Sequence, residues 1–396
     1  MNSLNTNLEV AVSAPLDLTF PKAALKGSLG DLSELLSRNS EVSPEMVFGA
    51  ALTCLGSMIT GKLKSTKADS DVRLFTILLG PSYNAKKSTA IHKTRAFFEQ
   101  DVKSGHPLEV CEGVGSAEGL AKKLEKTPSL LLTLDELESF FKKASIEGSV
   151  LLQTVNSLFE KTSYETVTRN AEISIPSARL SFLAACTLAT YEHCWSADAL
   201  SIGFDNRLFL VNGSLREGIA WDREAPPEER HEIALRIQAQ LARLGDAKHP
   251  LVIDGTLEAY RRYTEWYQEE IHASSSPYVK RLDTIASRLL PLLAFTQDKP
   301  QIDIDVVDSV IEIMRHQLNL RRCYNPIDAE NKFARMEASI RRKLQEKGPL
   351  PDRELQKFTN ATRVGTWVYK SSVTGLLAAG IIKKGKNGCL TLTASD

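Results

Sequence analysis

Four short apolar runs punctuate the first half of the chain: Leu74–Leu79, Leu130–Leu134, Leu180–Cys186 and Leu208–Val211. Runs of this length without a polar face predict strands buried on both sides. Between them the apolar positions recur at helical spacing. Ser43 caps and Pro44 opens a helix that runs to Ile59 and stops at Gly61. Ser88 to Phe98 reads as a second helix, and Ser116 opens a third. Strands alternating with helices predict an α/β fold, a largely parallel sheet covered on both faces. Lys161–Ile175 instead alternates with period two around Arg169-Asn170 and predicts a hairpin.

From about 232 to 322 the pattern is helical throughout: Ile233–Leu244, Leu257–Ile271, Val279–Ala294 and Val306–Leu320, the last capped by Asp303 or Asp305. Residues 1–22 read as an irregular lead-in, and 222–231 and 322–331 as linkers. Phe333–Glu346 is amphipathic, and Asp352 caps a short helix. A third helix runs from about Val364 to Ala379, and a hairpin turns at Gly385–Gly388. Three helices and a hairpin are the plan of a winged helix. The expected division is a lead-in (1–42), an α/β core (43–222), a helical lid (223–325) and a winged-helix domain (333–396).

The composition of the 396 residues, 42% apolar and 25% charged, is that of a globular chain large enough to build a core without disulfides. No apolar run approaches the ~20 residues of a membrane span. The first residues lack the basic and apolar regions of a secretory signal. The six cysteines form no CxxC pair, which argues against a zinc cluster or disulfide framework. A reducing, cytoplasmic setting is the expectation. Net charge is zero, but residues 331–396 hold 13 Lys+Arg against 5 Asp+Glu, and the other 330 hold 36 against 44. A basic C-terminal module on an acidic body predicts a polyanion partner, or else a solvated basic face.

The strongest chemical signal is the segment Leu74–Phe98. A strand ends at Gly80, a polar loop containing Asn84 and Ala85 follows, and Lys87-Ser88-Thr89 opens a helix. Phosphate-binding loops have this layout, because backbone N–H groups and the positive helix end hold phosphate oxygens. The lysine neutralises the β- and γ-phosphates, and the next hydroxyl binds Mg2+. Against the usual GxxxxGK[ST] pattern this loop is one residue longer, and Lys86 stands where the second glycine is expected.

The strand Leu130–Leu134 leads directly into Asp135-Glu136. Beside a phosphate loop, Asp135 would hold Mg2+ and Glu136 would polarise the attacking water. On its own the same dipeptide is an acidic helix start. Thr187 ends the third strand, either as a simple strand end or as a group sensing the γ-phosphate. Arg207, just before the fourth strand, either pairs with a local carboxylate such as Asp205 or acts on a neighbouring subunit's nucleotide as an arginine finger.

These segments together, GPSYNAKKSTA, GSAEGLAKKLEKTPSLLLTLDEL and GFDNRLFLV, resemble the P-loop ATPases of prophages, plasmids and integrated elements. Those are helicase-type AAA+ proteins often fused behind a primase, and the resemblance spans about residues 44–320. It implies an AAA+/RecA-like P-loop NTPase fold. It also implies an ATP and Mg2+ site built from Gly80, Asn84, Ala85, Lys86, Lys87, Ser88 and Thr89 with Asp135 and Glu136. Arg207 would be the trans-acting arginine of a hexameric ring, with Arg281 or Arg288 in the lid as a second. The hairpin bearing Lys161 and Arg169 would either grip DNA in the ring channel or pack as an edge hairpin. No primase segment precedes the ATPase here, so any primer synthesis falls to a separate primase.

In the C-terminal module, Arg363, Thr366 and Lys370 stand near the start of the third helix, and Lys383, Lys384 and Lys386 on the hairpin, placed for DNA phosphates. Trp367 is either a core residue or part of that surface. The expected function is an ATP-driven DNA helicase or translocase of a mobile element. The alternatives are an ATP-switched DNA-binding initiator or loader, and a non-catalytic DNA-binding subunit.

Overall fold

The computed structural model describes residues 17–66, 71–81, 85–167, 172–195, 197–214, 216–246, 248–324, 332–385 and 388–393. Contacts separate a body, Leu18–Asn325, from a unit built on Pro326–Asp396. The boundaries expected near residues 42 and 222 fall inside the one body.

Five parallel strands form the centre of the body: β1 Phe75–Gly80, β2 Val110–Glu112, β3 Ser129–Leu134, β4 Arg179–Thr187 and β5 Phe209–Asn212. They lie in the order β2-β3-β4-β1-β5. Helices flank the sheet, so the class is α/β. Every residue of β1 is buried, as its continuous apolar run requires. The ladder pairs Gly80 with Thr187 and Leu134 with Ala184, which brings the carboxyl ends of β1, β3 and β4 close together. The edge strand β2 has no apolar run and is half exposed, so its pattern carries no strand signal.

The longer helices of the body are α1 Gly27–Ser37, α2 Pro44–Ile59, α3 Lys87–Gln100, α4 Ala117–Lys126, α5 Leu137–Ala144, α6 Leu151–Glu160, α7 Pro227–Leu241, α8 Leu257–Trp266, α9 Leu282–Thr296 and α10 Ile304–Tyr324. Helix α2 is buried on all sides, as an apolar-all-round helix must be. Helix α1 was not expected. Its leucines at 29, 32, 35 and 36 carry the helical period, but Gly27, Gly30 and three serines depress local propensity. Gly27, at φ +71°, meets the backbone of Thr296 where a Cβ would stand. An aromatic cluster fills the space between the sheet and α5 and α6, with Phe75–Phe159 centroids at 5.1 Å and Phe140–Phe182 at 5.6 Å.

The carboxyl-terminal helices group with the sheet in the one body. Helix α10 packs along the open edge of β5. There Gln317 donates from Nε2 to the Leu210 carbonyl at 2.5 Å and accepts the Leu210 N–H at 2.8 Å. One side chain thus replaces the strand that β5 lacks. Arg321, fully buried, donates to the carbonyls of Tyr278, Lys280, Asn206 and Leu208. Asp303 rather than Asp305 caps α10, accepting the Val306 N–H at 3.1 Å.

The C-terminal unit has α11 Lys332–Lys347, α12 Asp352–Phe358, α13 Ala361–Val364 and α14 Thr366–Ala378. A three-stranded antiparallel sheet orders Leu350–Pro351, Cys389–Leu392 and Ile382–Lys384 around the middle strand. The expected third helix is α14, and the short α13 before it is a separate turn, parted from it by Gly365 at φ +125°. A separate core holds it, with Met336, Ile340, Leu355, Val368, Tyr369 and Leu390 among its members. Asp352 is the first helical residue, not the cap, and its carboxylate accepts the Tyr369 hydroxyl at 2.9 Å.

Gln317→Leu leaves both Leu210 polar groups buried and unpaired, and is expected to cost roughly 2–4 kcal/mol. Urea unfolding of the full chain, read against wild type, measures it.

Candidate functional site

The loop between β1 and α3 follows from two close contacts. A Cβ on Gly80 would lie 2.5 Å from the Ala85 Cβ, so only glycine lets the chain fold back at this strand end. Ala85 is itself buried. Lys86 then takes the left-handed conformation, φ 46° and ψ 36°, and Lys87 starts the helix. This explains the departure from the glycine pattern: the position needs a left-handed residue, and a lysine fills it at a cost of about 1–2 kcal/mol. Its ammonium pairs with Glu41 at 2.9 Å, which offsets part of that cost. The paired Lys86 and the Ile219 N–H hold the Glu41 carboxyl below its ordinary range.

Lys87 donates to the carbonyls of Gly80 at 3.2 Å and Pro81 at 2.8 Å. Its partial burial disfavours the charge and lowers its pKa. A cavity of about 280 Å³ lies in front of it, lined by Lys87, Ser88, Asp135, Glu136 and Thr187, with Cys186 and Thr190 beside them. The five named first are all residues the sequence singled out. They come from β1–α3, the end of β3 and the end of β4, and the fold brings them to one place at the carboxyl edge of the sheet. Thr89 is half-buried in the first turn of α3 and does not line the cavity. Asn84 lies outside the described residues.

Asp135 and Glu136 are exposed toward the cavity at the start of α5. Asp135 Oδ1 is 3.2 Å from Nε2 of His92 on α3. Sequence reading missed His92, although it sits at i+4 from Ser88 and therefore on the same helix face. Thr187 caps the short helix after β4. Its Oγ1 accepts the Thr190 N–H at 3.0 Å and lies 2.9 Å from the Thr190 hydroxyl. Among the described residues no group of three His, Cys, Asp or Glu side chains converges to hold a metal unaided. Ser88 and Asp135 offer the hard oxygen donors that Mg2+ takes when phosphates and water supply the rest.

Arg207 is not at the cavity. Its guanidinium is largely buried and donates to the carbonyls of its own chain at Ile202, 3.1 Å, and Gly203, 2.8 Å. Its carboxylate neighbour is Glu160 at 3.8 Å, a residue shared with Arg281 at 2.7 Å. Arg288 cannot reach a nucleotide: it is 3% exposed, lies 3.8 Å over the Phe159 ring and holds the carbonyls of Arg73 and Phe159. Burial pulls it down to about 9. Arg281 is at the surface.

Lys161 is exposed after α6, at the base of the hairpin Tyr164–Val167 and Glu172–Ile175. Arg169 lies outside the described residues. In the C-terminal unit Arg363, Thr366, Lys370, Lys383 and Lys384 are all exposed, and Lys386 lies outside the described residues. Trp367, for which a core place and a surface place were both open, is 65% exposed and meets Phe333 edge to face at 5.1 Å.

No known family model matches this chain, and no curated protein is similar to it in sequence. Among the described residues no helix is long and apolar enough to cross a membrane.

Lys86→Gly removes the left-handed strain together with a half-exposed ion pair. It is expected to leave stability unchanged or raise it by up to about 1 kcal/mol. Lys86→Val, β-branched, is expected to lower it. Thermal unfolding of the two variants beside wild type checks the sign.

Proposed function

We propose that this protein is an ATP-hydrolysing P-loop motor of the AAA+ type that acts on DNA, assembled as a hexameric ring and serving the replication of a mobile element. The observation that carries this reading is the meeting of Lys87, Ser88, Asp135, Glu136 and Thr187 in one cavity at the carboxyl ends of adjacent strands. A lysine, a hydroxyl, two carboxylates and a second hydroxyl are the set that phosphoryl transfer to water needs. Lys87 neutralises the β- and γ-phosphates, exchanging loop carbonyls for phosphate oxygens. Ser88 and Asp135 hold Mg2+, which supplies charge neutralisation on the phosphates. Glu136 orients and polarises the water, and Thr187 bonds the γ-phosphate. The strand order supports the same class, because β3 and β4 lie on one side of β1 and β5 on the other.

The C-terminal unit supports a DNA partner. Its four helices and small three-stranded sheet are consistent with a winged-helix plan, and α14 turns its buried face, Val368, Tyr369, Ser372 and Leu376, inward. Its outer face carries Thr366, Trp367 and Lys370, with Arg363 just before and Lys383 and Lys384 on the sheet. Guanidinium and ammonium groups around an exposed aromatic suit phosphates and bases.

One observation favours a second reading, an ATP-switched DNA-binding initiator. Arg207 is bound to its own backbone rather than presented to a neighbour, so ATP would act as an assembly signal without a fast trans-catalysed turnover.

Lys87→Ala is expected to abolish ATP binding. Glu136→Gln is expected to retain binding while turnover falls about 10²–10⁴-fold. Steady-state hydrolysis with and without single-stranded DNA checks both. DNA-stimulated turnover distinguishes the motor, and tight binding with negligible turnover in wild type the initiator. Replacing Lys370, Lys383 and Lys384 by alanine is expected to lower the slope of log K against log salt by roughly 2–3, as measured by fluorescence anisotropy on a DNA duplex.

A further inference from the structure

The cavity holds about 280 Å³, less than the ~300–1,000 Å³ of pockets that enclose a drug-sized ligand. On the phosphate-site reading it holds the phosphates, and the nucleoside attached to them extends from its open side. The topology says on which side. Asp135 and Glu136 follow β3 and Thr187 ends β4, so on that reading the terminal phosphate points toward them. The nucleoside leaves toward the opposite flank of β1, where β5 ends and residues 216–223 run across the surface.

That strap is pinned to the phosphate loop and its helix. The Ile219 N–H donates to Glu41 Oε1 at 3.0 Å, and Glu41 Oε2 is the partner of Lys86. Asp222 accepts Lys93 Nζ at 2.8 and 2.9 Å and the Ser40 hydroxyl at 3.2 Å. The Arg223 N–H donates to the Asn39 carbonyl at 3.2 Å. Lys86 caps α3 and Lys93 lies about two turns into it, about 10 Å further along its axis. This is the scale of a nucleoside. Between the two anchors stands Trp221, 84% exposed. A tryptophan is usually among the most buried side chains. Here its backbone is fixed on both sides while its indole is presented to solvent.

We propose that Trp221 stacks on the base of the nucleotide whose phosphates occupy the cavity, and that the strap is the nucleoside-binding element. The proposal rests on the phosphate-site reading and adds a base-recognition residue to it. Stacking uses the π-face that every base has, so the site takes purines with little regard to their edges and holds the larger purine ring over a pyrimidine.

The test is calorimetric titration of the full-length wild type, Trp221→Ala and Trp221→Phe with Mg-ATP and, separately, with inorganic tripolyphosphate. Trp221→Ala is expected to weaken ATP binding about tenfold or more and to leave tripolyphosphate affinity unchanged, and Trp221→Phe to retain most of the ATP affinity. ATP, but not tripolyphosphate, is expected to quench tryptophan emission in wild type, and that quench is absent in Trp221→Phe. Equal ATP affinity in wild type and Trp221→Ala overturns the stacking while leaving the phosphate site intact. So does a parallel loss of ATP and tripolyphosphate in Trp221→Ala, which marks Trp221 as structural. Wild type that binds neither ligand sinks the phosphate-site reading and the stacking together.

Discussion

The turn from β1 into α3 is the constraint on which the candidate site depends. The strand must end without a side chain at Gly80, because Ala85 packs against that point. The chain must then reverse through a left-handed residue before a helix can begin at Lys87. Both demands are steric, and together they aim the first turn of α3 at the carboxyl edge of the sheet. Lys86 meets the second demand against its intrinsic preference and is steadied by Glu41, which also holds the backbone of the strap after β5. A local backbone strain is thereby tied to two distant segments.

Buried guanidinium groups do the comparable work on the far side of the body. Arg73 donates to the carbonyls of Leu158 and Lys161 at the end of α6, and Arg288 to those of Arg73 and Phe159. Arg321 ties the approach to β5 to the start of α9. Desolvation works against each charge, pulling Arg321 down to about 10. Each is retained because it satisfies several carbonyls at once that no regular element can pair. The result is mechanical: α9 and α10 are bonded to the sheet, so the helical region belongs to the body. The same logic accounts for Arg207, whose donors go to backbone carbonyls beside β5.

Much of the candidate site was legible in the sequence, for a definite reason. A strand ending in glycine before a lysine and hydroxyl, and a strand ending in two carboxylates, place their chemistry at strand ends. In a parallel sheet those ends share one edge. Hence Lys87, Ser88, Asp135, Glu136 and Thr187 were all named from pattern and all line the cavity. Residues whose role is a contact rather than a position left weaker signals. His92 beside Asp135, Glu41 beside Lys86 and the exposed Trp221 look like ordinary helix, linker and loop residues until the chain folds.

The sequence by itself determined the α/β class, four of the five central strands, most helices and the separate basic C-terminal unit. Apolar period and charge are local quantities, and they survive without knowledge of neighbours. Tertiary structure alone decided the strand order, the edge strand β2, helix α1 and the inward or outward fate of Arg207, Arg288 and Trp367. Each of these is settled by what packs against the residue. Helix α1 overcomes its glycines because they admit the Thr296 and Leu25 backbones. Arg288 is drawn inside by carbonyls remote in sequence, and Trp367 stays outside because Val368 and Tyr369 already fill the core beneath it.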